Sequence, residues 1–365
     1  MFLVIAVIAL IFIVIFQIAK ASEYVSAIKG EEAARKQNNK INGFLMLAFM
    51  IVGLIGVWYC NKLYYGKTLL PFDSASNHGE KVDQMLWVTL IVTGIVFIAT
   101  QILLFWFAYK YQEREGQKVY YFPHSTKLEL LWTSVPAIVL AVLVVIGLKN
   151  WYSFTGDAPK GAMEVEVTGK QFGWIYRYKG VDNEFGKKYY KNIDEATNPL
   201  GLLLADNEAL GLKKDSTGFD DIVVQQTMYL VKGKPVKLII GSRDVIHDVG
   251  LPHFRLKMDA VPGTPTTLWF TPKYTTAEMR KITNNPNFVY EISCDQMCGN
   301  GHYSMKGTIE VVEQAEFDKW IKDKKTAYAS AFPDAEAAPA ATDSTGNKPT
   351  AAQVVIDKKA VVLKN

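Results

Sequence analysis

Twelve residues concentrate the reactive side chains of this sequence: Cys294-Asp-Gln-Met-Cys298-Gly-Asn-Gly-His302-Tyr-Ser-Met305. Two thiols, an imidazole and a thioether follow one another as C-x3-C-x3-H-x2-M, and a short loop can turn all four towards one point. Soft sulfur with nitrogen suits copper or zinc, and the hard-oxygen cations would not choose it. The thioether favours copper, because structural zinc sites use Cys and His alone. A mononuclear blue-copper centre needs one Cys, two His and a weak axial Met. Here a second Cys is present, enough to bridge two metal ions. A second histidine must come from elsewhere, and His78, His124, His247 and His253 are the candidates. His247 follows Ser242-Arg-Asp-Val at the end of a strand-like run, where a turn could aim it at the cysteine loop. The bland alternative is a Cys294–Cys298 disulfide in an oxidising compartment. Met297 reads as core filler and Cys60, at a helix end, as a buried thiol.

The elements that must position this cluster are strands. From about residue 160, Met163-Glu-Val-Glu-Val alternates with period two, and so does much of Phe288-Val-Tyr-Glu-Ile. Residues 223–230, 235–240 and 307–312 are short β-branched runs bounded by Gly, Lys or Pro, so a sandwich or barrel is expected. Residues 179–222, rich in Gly, Asn, Asp and Lys, read as a long surface excursion. Residues 326–365, rich in Ala, Pro, Asp, Thr and Ser, read as a flexible tail.

The first half of the chain has a different character. A helix needs about 20 largely apolar residues to cross a bilayer. Residues 2–19, 43–60, 85–109 and 131–148 approach or exceed that length without one Lys, Arg, Asp or Glu. Trp87, Trp106, Tyr109 and Trp132 stand near their ends, where amphipathic rings favour the interface. Lys20, Lys29, Arg35, Lys36 and Lys40 flank one side, as do Lys110, Arg114, Lys118 and Lys127, whereas 61–84 holds only Lys62, Lys67 and Lys81. The positive-inside rule therefore places 20–42 and 110–130 in the cytoplasm and everything after residue 148 outside. Ala19-Lys20-Ala21 has the small-x-small form of a signal-peptide cleavage site, but no cation precedes the apolar run, and retention of the first span fits the charges better. The chain of 365 residues carries a formal charge of +4. That excess belongs to the first 149 residues, with 13 Lys+Arg against 9 Asp+Glu. The absence of a large basic excess argues against a nucleic-acid partner.

With these motifs in view, the sequence resembles subunit II of cytochrome c oxidase, the haem–copper oxidase subunit with a binuclear copper centre. The likeness runs from about residue 71 to 322 and is carried by the cysteine cluster with Ser242-Arg-Asp-Val-Ile-His247. It extends to Leu256-Lys-Met-Asp-Ala-Val-Pro-Gly263, Glu129-Leu-Leu-Trp-Thr-Ser-Val-Pro136 and Gly169-Lys-Gln-Phe-Gly-Trp-Ile-Tyr176. The resemblance implies a cupredoxin-like Greek-key sandwich on the periplasmic face of the inner membrane, anchored by a helical hairpin. It divides the chain into two additional spans (1–60), the hairpin (61–149), the copper domain (150–325) and the tail (326–365). It implies that Cys294 and Cys298 bridge two coppers and that His247 and His302 each bind one. Met305 would complete one copper and the backbone carbonyl of Gln296 the other. Electrons would come from cytochrome c or an equivalent periplasmic donor through Phe172 and Trp174 and pass to the haem of subunit I, where oxygen is reduced. Glu129 matches a carboxylate at a proton-channel mouth. Phe172 stands where the family normally has Trp. Gln296 replaces a Glu that binds magnesium at the subunit interface, which leaves magnesium open while the carbonyl contact to copper survives. Two rivals are a quinol-oxidase subunit lacking the copper ligands and a disulfide-stabilised binding protein without copper.

Overall fold

The computed structural model describes residues 2–114 and 116–333. Two compact units emerge, one of residues up to 68 with 86–143, the other of 69–85 with the described residues from 144 onward.

The first unit is helical. Helices α1 (Phe2–Lys29) and α2 (Glu31–Tyr64) are separated by Gly30, whose φ of 82° ends one helix and starts the next. Asn38 Nδ2 donates to Ser22 Oγ at 2.8 Å, so α2 folds back along α1. Helices α3 (Gly79–Lys110) and α4 (Thr126–Thr155) follow. All four are long and apolar enough to cross a membrane, and their apolar side chains point outward because lipid, not protein, is their solvent. Cys60 is exposed on α2, contrary to the expectation of a buried thiol.

The second unit is a β sandwich of two five-stranded sheets. Strands β1 (Met163–Lys170), β2 (Gly173–Tyr178), β3 (Ile222–Gln225), β4 (Thr227–Val231) and β5 (Val236–Ser242) lead into β6 (His247–Leu251), β7 (Leu256–Ala260), β8 (Thr266–Phe270), β9 (Tyr290–Cys294) and β10 (Lys306–Val312). One sheet runs β3-β2-β1-β5-β8, the other β4-β10-β9-β6-β7. The pairs β1–β5 and β4–β10 are parallel and the remainder antiparallel. Period-two burial fills the space between the sheets: Val236, Leu238 and Ile240 from β5 meet Tyr290, Ile292 and Cys294 from β9 in one core.

Three expectations change. The run 223–230 is two strands in different sheets, broken at Gln226, which takes φ 71°. The excursion 179–222 is no mere surface loop. Leu200, Leu202, Leu204 and Phe219 pack with Ile175 into a second core that covers the outer face of β2. The expected tail begins with an ordered helix, α5 (Ala327–Ala331), capped by Thr326 Oγ1 accepting from Ala329 N at 3.2 Å. Ala327 N donates to Asp221 O at 2.7 Å, and Tyr328 packs on Phe219. Residues 334–365 of that tail lie outside the described residues.

The segment before α3 is strapped to the sandwich. Arg255 donates to Asp83 Oδ1 and to the carbonyls of Leu69 and Phe72, and Ser76 Oγ donates to Phe254 O at 2.7 Å. A Cβ at Gly79 would lie 1.8 Å from Ser74 Oγ, so only glycine starts α3 there.

Candidate metal centre

Strand alternation delivers the first thiol. In β9, Tyr290, Ile292 and Cys294 are the buried positions, so Cys294 ends the strand facing inward. The chain then loops out and returns as β10, with Ser293 opposite Lys306 and Cys294 N donating to Met305 O at 3.1 Å. Cys298, His302 and Met305 thus hang from a closed hairpin. Strand β6 lies alongside β9, with Val249 opposite Cys294, and its first residue is His247. A sharp turn after β5 therefore aims this histidine, fully buried, at the cysteine loop.

The donor atoms form a chain. His247 Nδ1 is 3.7 Å from Cys294 Sγ, which is 3.7 Å from Cys298 Sγ. Cys298 Sγ is in turn 3.7 Å from His302 Nδ1 and 3.8 Å from Met305 Sδ. Cys294 Sγ donates to Gln296 O at 3.1 Å, while the Gln296 side chain is exposed. The thiols are free, and their separation is far beyond the roughly 2.05 Å of a disulfide. His247, Cys294 and Cys298 place their ligand atoms within 4.8 Å of one another. Two sulfurs, two imidazole nitrogens, a thioether and a carbonyl oxygen suit copper, whose preference for soft donors they match. Burial and the neighbouring Cys294 thiol push Cys298 up to about 11, so binding a metal there displaces a proton.

The other histidines stay out of the cluster. His78 accepts or donates a bond with Ser153 Oγ at 3.3 Å and meets Trp269 edge-on. His253 packs edge-on against Phe288 and Tyr290. His124 and Glu129 belong to the helical unit, Glu129 exposed in the first turn of α4. Met297 is 62% exposed at the loop tip, where core filler was expected.

The turn between β1 and β2 covers the metal loop. Phe172 is 43% exposed and lies over Gly301, where a Cβ would come within 2.5 Å of its ring. Trp174 is buried and meets His247 edge-on at 6.1 Å. Gln171 Nε2 donates to Cys298 O at 2.5 Å.

Sequence reasoning missed Asp244 and Gln171. Asp244 Oδ1 lies 2.8 Å from His247 Nε2 and accepts from Val245 N at 2.7 Å, while Oδ2 accepts from Gln171 N at 2.7 Å. Burial works against its charge, but these donors outweigh it and hold the carboxyl below the usual range. The proton thereby belongs on Nε2, leaving the Nδ1 lone pair for the cysteine side. The available signal was an acid three residues before the histidine.

Two matches cover most of the chain. Residues 67–150 match the family model "Cytochrome C oxidase subunit II, transmembrane domain", and 163–312 match "Cytochrome C oxidase subunit II, periplasmic domain". The alternative cytochrome c oxidase subunit 2 of Bradyrhizobium diazoefficiens is 33% identical over 254 residues, covering 69% of this chain and 83% of that protein. This chain belongs to the cytochrome c oxidase subunit II family. Cytochrome c oxidase subunit 2 of Cereibacter sphaeroides is 25% identical over 253 residues, covering 69% of this chain and 78% of that protein. The crystal structure of the periplasmic domain of subunit II of cytochrome oxidase of Bradyrhizobium japonicum aligns over 45% of this chain and 94% of its own, at 24% identity and TM-score 0.29. The chain is thus subunit II of a haem–copper oxidase, a component of an oxidoreductase complex with other oxidase subunits as partners. It is a membrane protein of apolar helices followed by a cupredoxin-like sandwich on the outer face. The family match begins at residue 67, which leaves α1 and α2 as an extension.

Proposed function

We propose that this subunit is the electron-entry point of its oxidase, with a binuclear copper centre held by His247, Cys294, Cys298, His302, Met305 and the carbonyl of Gln296. The unbroken run of donor atoms at 3.7–3.8 Å, ending in a histidine on each side of two free thiols, carries this reading. When bound, copper held by these residues would supply one-electron transfer with little change in bond length. The protein's part is rigidity. Asp244 orients His247, Gln171 ties the carbonyl of Cys298 to the β1–β2 turn, and the closed hairpin fixes Met305.

Phe172 and Trp174 line the path inward from the surface, one half-exposed over the loop and the other against His247. The electron donor is cytochrome c or an equivalent protein on the periplasmic side of the inner membrane, and the acceptor is haem in subunit I. Glu129 lies at the mouth of a proton channel on the cytoplasmic side. Magnesium has no carboxylate at position 296, so this chain offers it a weaker ligand set than the family's pattern. Copper analysis of the purified full chain is the test: two coppers per chain with near-infrared mixed-valence absorption are expected. One copper, none, or zinc in its place would sink the assignment.

A further inference from the structure

Three turns meet at the metal end of the sandwich, and their outward side chains share one character. Gln171, between β1 and β2, donates its N–H to Asp244 of the β5–β6 turn and its side-chain amide to Cys298 O of the metal loop. From these stitched turns Phe172, Val245, Ile246, Met297 and Tyr303 project as exposed apolar side chains. Phe172 lies over Gly301, and the Tyr303 ring, 83% exposed, meets the His302 ring at 4.9 Å. The exposed polar residues of the same loop, Gln296 and Asn300, carry no charge. Exposed apolar side chains gathered at one spot mark an interaction surface.

The charges around this surface cancel one another. Lys170 Nζ lies 2.7 Å from Glu195, which Arg243 also engages, and Arg243 Nη1 donates to Pro199 O at 2.8 Å. Lys170 ends β1 just before the Phe172 turn and Arg243 stands beside Asp244, so one acid of the 179–222 excursion covers both cations. Those cations hold the Glu195 carboxyl below its usual range, which keeps it ionised. Asp194, bonded by Ala196 N and by Thr197, brings the local sum of these four charges to zero. Asp244 is occupied by His247, Gln171 N and Val245 N. Asp295, the one acid of the metal loop, turns over Gly250 of β6 and accepts from Ser293 Oγ, and Lys306 pairs with Glu291 at 3.7 Å.

We propose that the electron donor docks on this surface by apolar contact, with Glu195 cancelling the cations beside Phe172, and that it is a haem protein whose haem edge is ringed by apolar, weakly charged residues. Rim charges govern association rate and its salt dependence, so a rim that sums to zero leaves docking to the apolar side chains. Each encounter passes one electron, the donor's haem iron going from ferrous to ferric, and no proton or group moves with it. The excursion thereby gains a part in choosing the donor. This docking mode rests on the electron-entry reading, which the same experiment checks separately.

The test is stopped-flow reduction of the copper-loaded full chain in mild detergent, followed by its near-infrared absorption. The probes are a strongly basic cytochrome c and the uncharged reductant tetramethylphenylenediamine. With wild type, the second-order rate for cytochrome c should change by less than about twofold between about 10 and 200 mM salt. E195Q uncovers Lys170 and Arg243 and should slow that reaction about threefold at low salt, and E195K about tenfold, both recovering at high salt. M297S/Y303S should slow it about tenfold at every salt concentration. Should that variant lose copper absorption, V245S, outside the metal loop, should slow it about threefold. Every copper-loaded variant should take electrons from the phenylenediamine as wild type does. A wild-type rate that changes steeply with salt would overturn the docking mode. So would E195K with unchanged low-salt kinetics, or serine variants that react with cytochrome c as fast as wild type. A wild-type chain with no near-infrared band for the phenylenediamine to bleach would instead overturn the electron-entry reading, and the docking mode with it.

Discussion

Removing the Asp244 carboxylate isolates the role of a residue that touches no metal. In D244A, His247 loses the acceptor 2.8 Å from Nε2, and Gln171 N and Val245 N lose theirs at 2.7 Å. Bonds to a charged acceptor contribute about 1.5–3 kcal/mol each, but solvent or a small backbone shift recovers part of the two backbone bonds. The buried imidazole has no such recourse, because His247 is fully buried against Trp174. The ring is then free to carry its proton on Nδ1, the atom facing Cys294. Comparable losses behind metal-bound histidines weaken metal binding by about 10–100-fold, equivalent to about 1.4–2.8 kcal/mol. D244N separates charge from geometry. Its amide oxygen can still serve His247 and Val245, but its NH2 then faces the Gln171 N–H, another donor, and that bond is lost, so a drop of at most about tenfold is expected. The assay is competition for copper(I) between a calibrated chelator and the reduced full chain in detergent, with the thermal midpoint recorded in parallel. D244A binding copper within about twofold of wild type would refute the orienting role. A shifted midpoint with unchanged affinity would do the same, reducing Asp244 to a turn residue.

Packing and pH offer two further tests. A Cβ at Gly169 would come within 2.8 Å of His247 Cδ2 and 3.2 Å of Trp174, so G169A should cost about 1–3 kcal/mol and disturb the copper spectrum. G173A, four residues on, meets nothing within 4 Å and should be silent in both readouts. His78 and His253 both sit below their ordinary value of 6.5, chiefly through burial; Lys81 adds to the effect at His78, while at His253 the Glu291 carboxylate opposes it and Arg255 adds to it. A lowered folded value means that the unfolded chain takes up these protons first. Their contribution to stability is therefore complete above pH 6.5 and is lost as pH falls towards the lowered values. The slope is at most about 1.4 kcal/mol per pH unit for each histidine. Thermal midpoints between pH 7 and 5, at constant copper loading, should fall less steeply in H78Q/H253Q than in wild type; parallel curves would refute this.

What could be seen in the sequence was whatever lies within a few residues of itself. The thiols, His302 and Met305 share twelve positions, and period-two alternation marks the strand that presents Cys294, so most of the candidate centre was legible. His247, distant along the chain, was singled out among four histidines only because a turn after a strand-like run could aim it at the cysteines. Asp244 was in plain view three residues earlier, yet an acid there is indistinguishable from a solvated one until β6 pairs with β9 and buries the histidine. The same dependence on neighbours hid the second core. Leu200, Leu202 and Leu204 sit in a stretch whose polar composition reads as loop, and they are buried because β2 turns Ile175 outward to meet them. Gln226 breaks a β-branched run with no Gly or Pro to announce it, since the break is imposed by two sheets competing for adjacent residues.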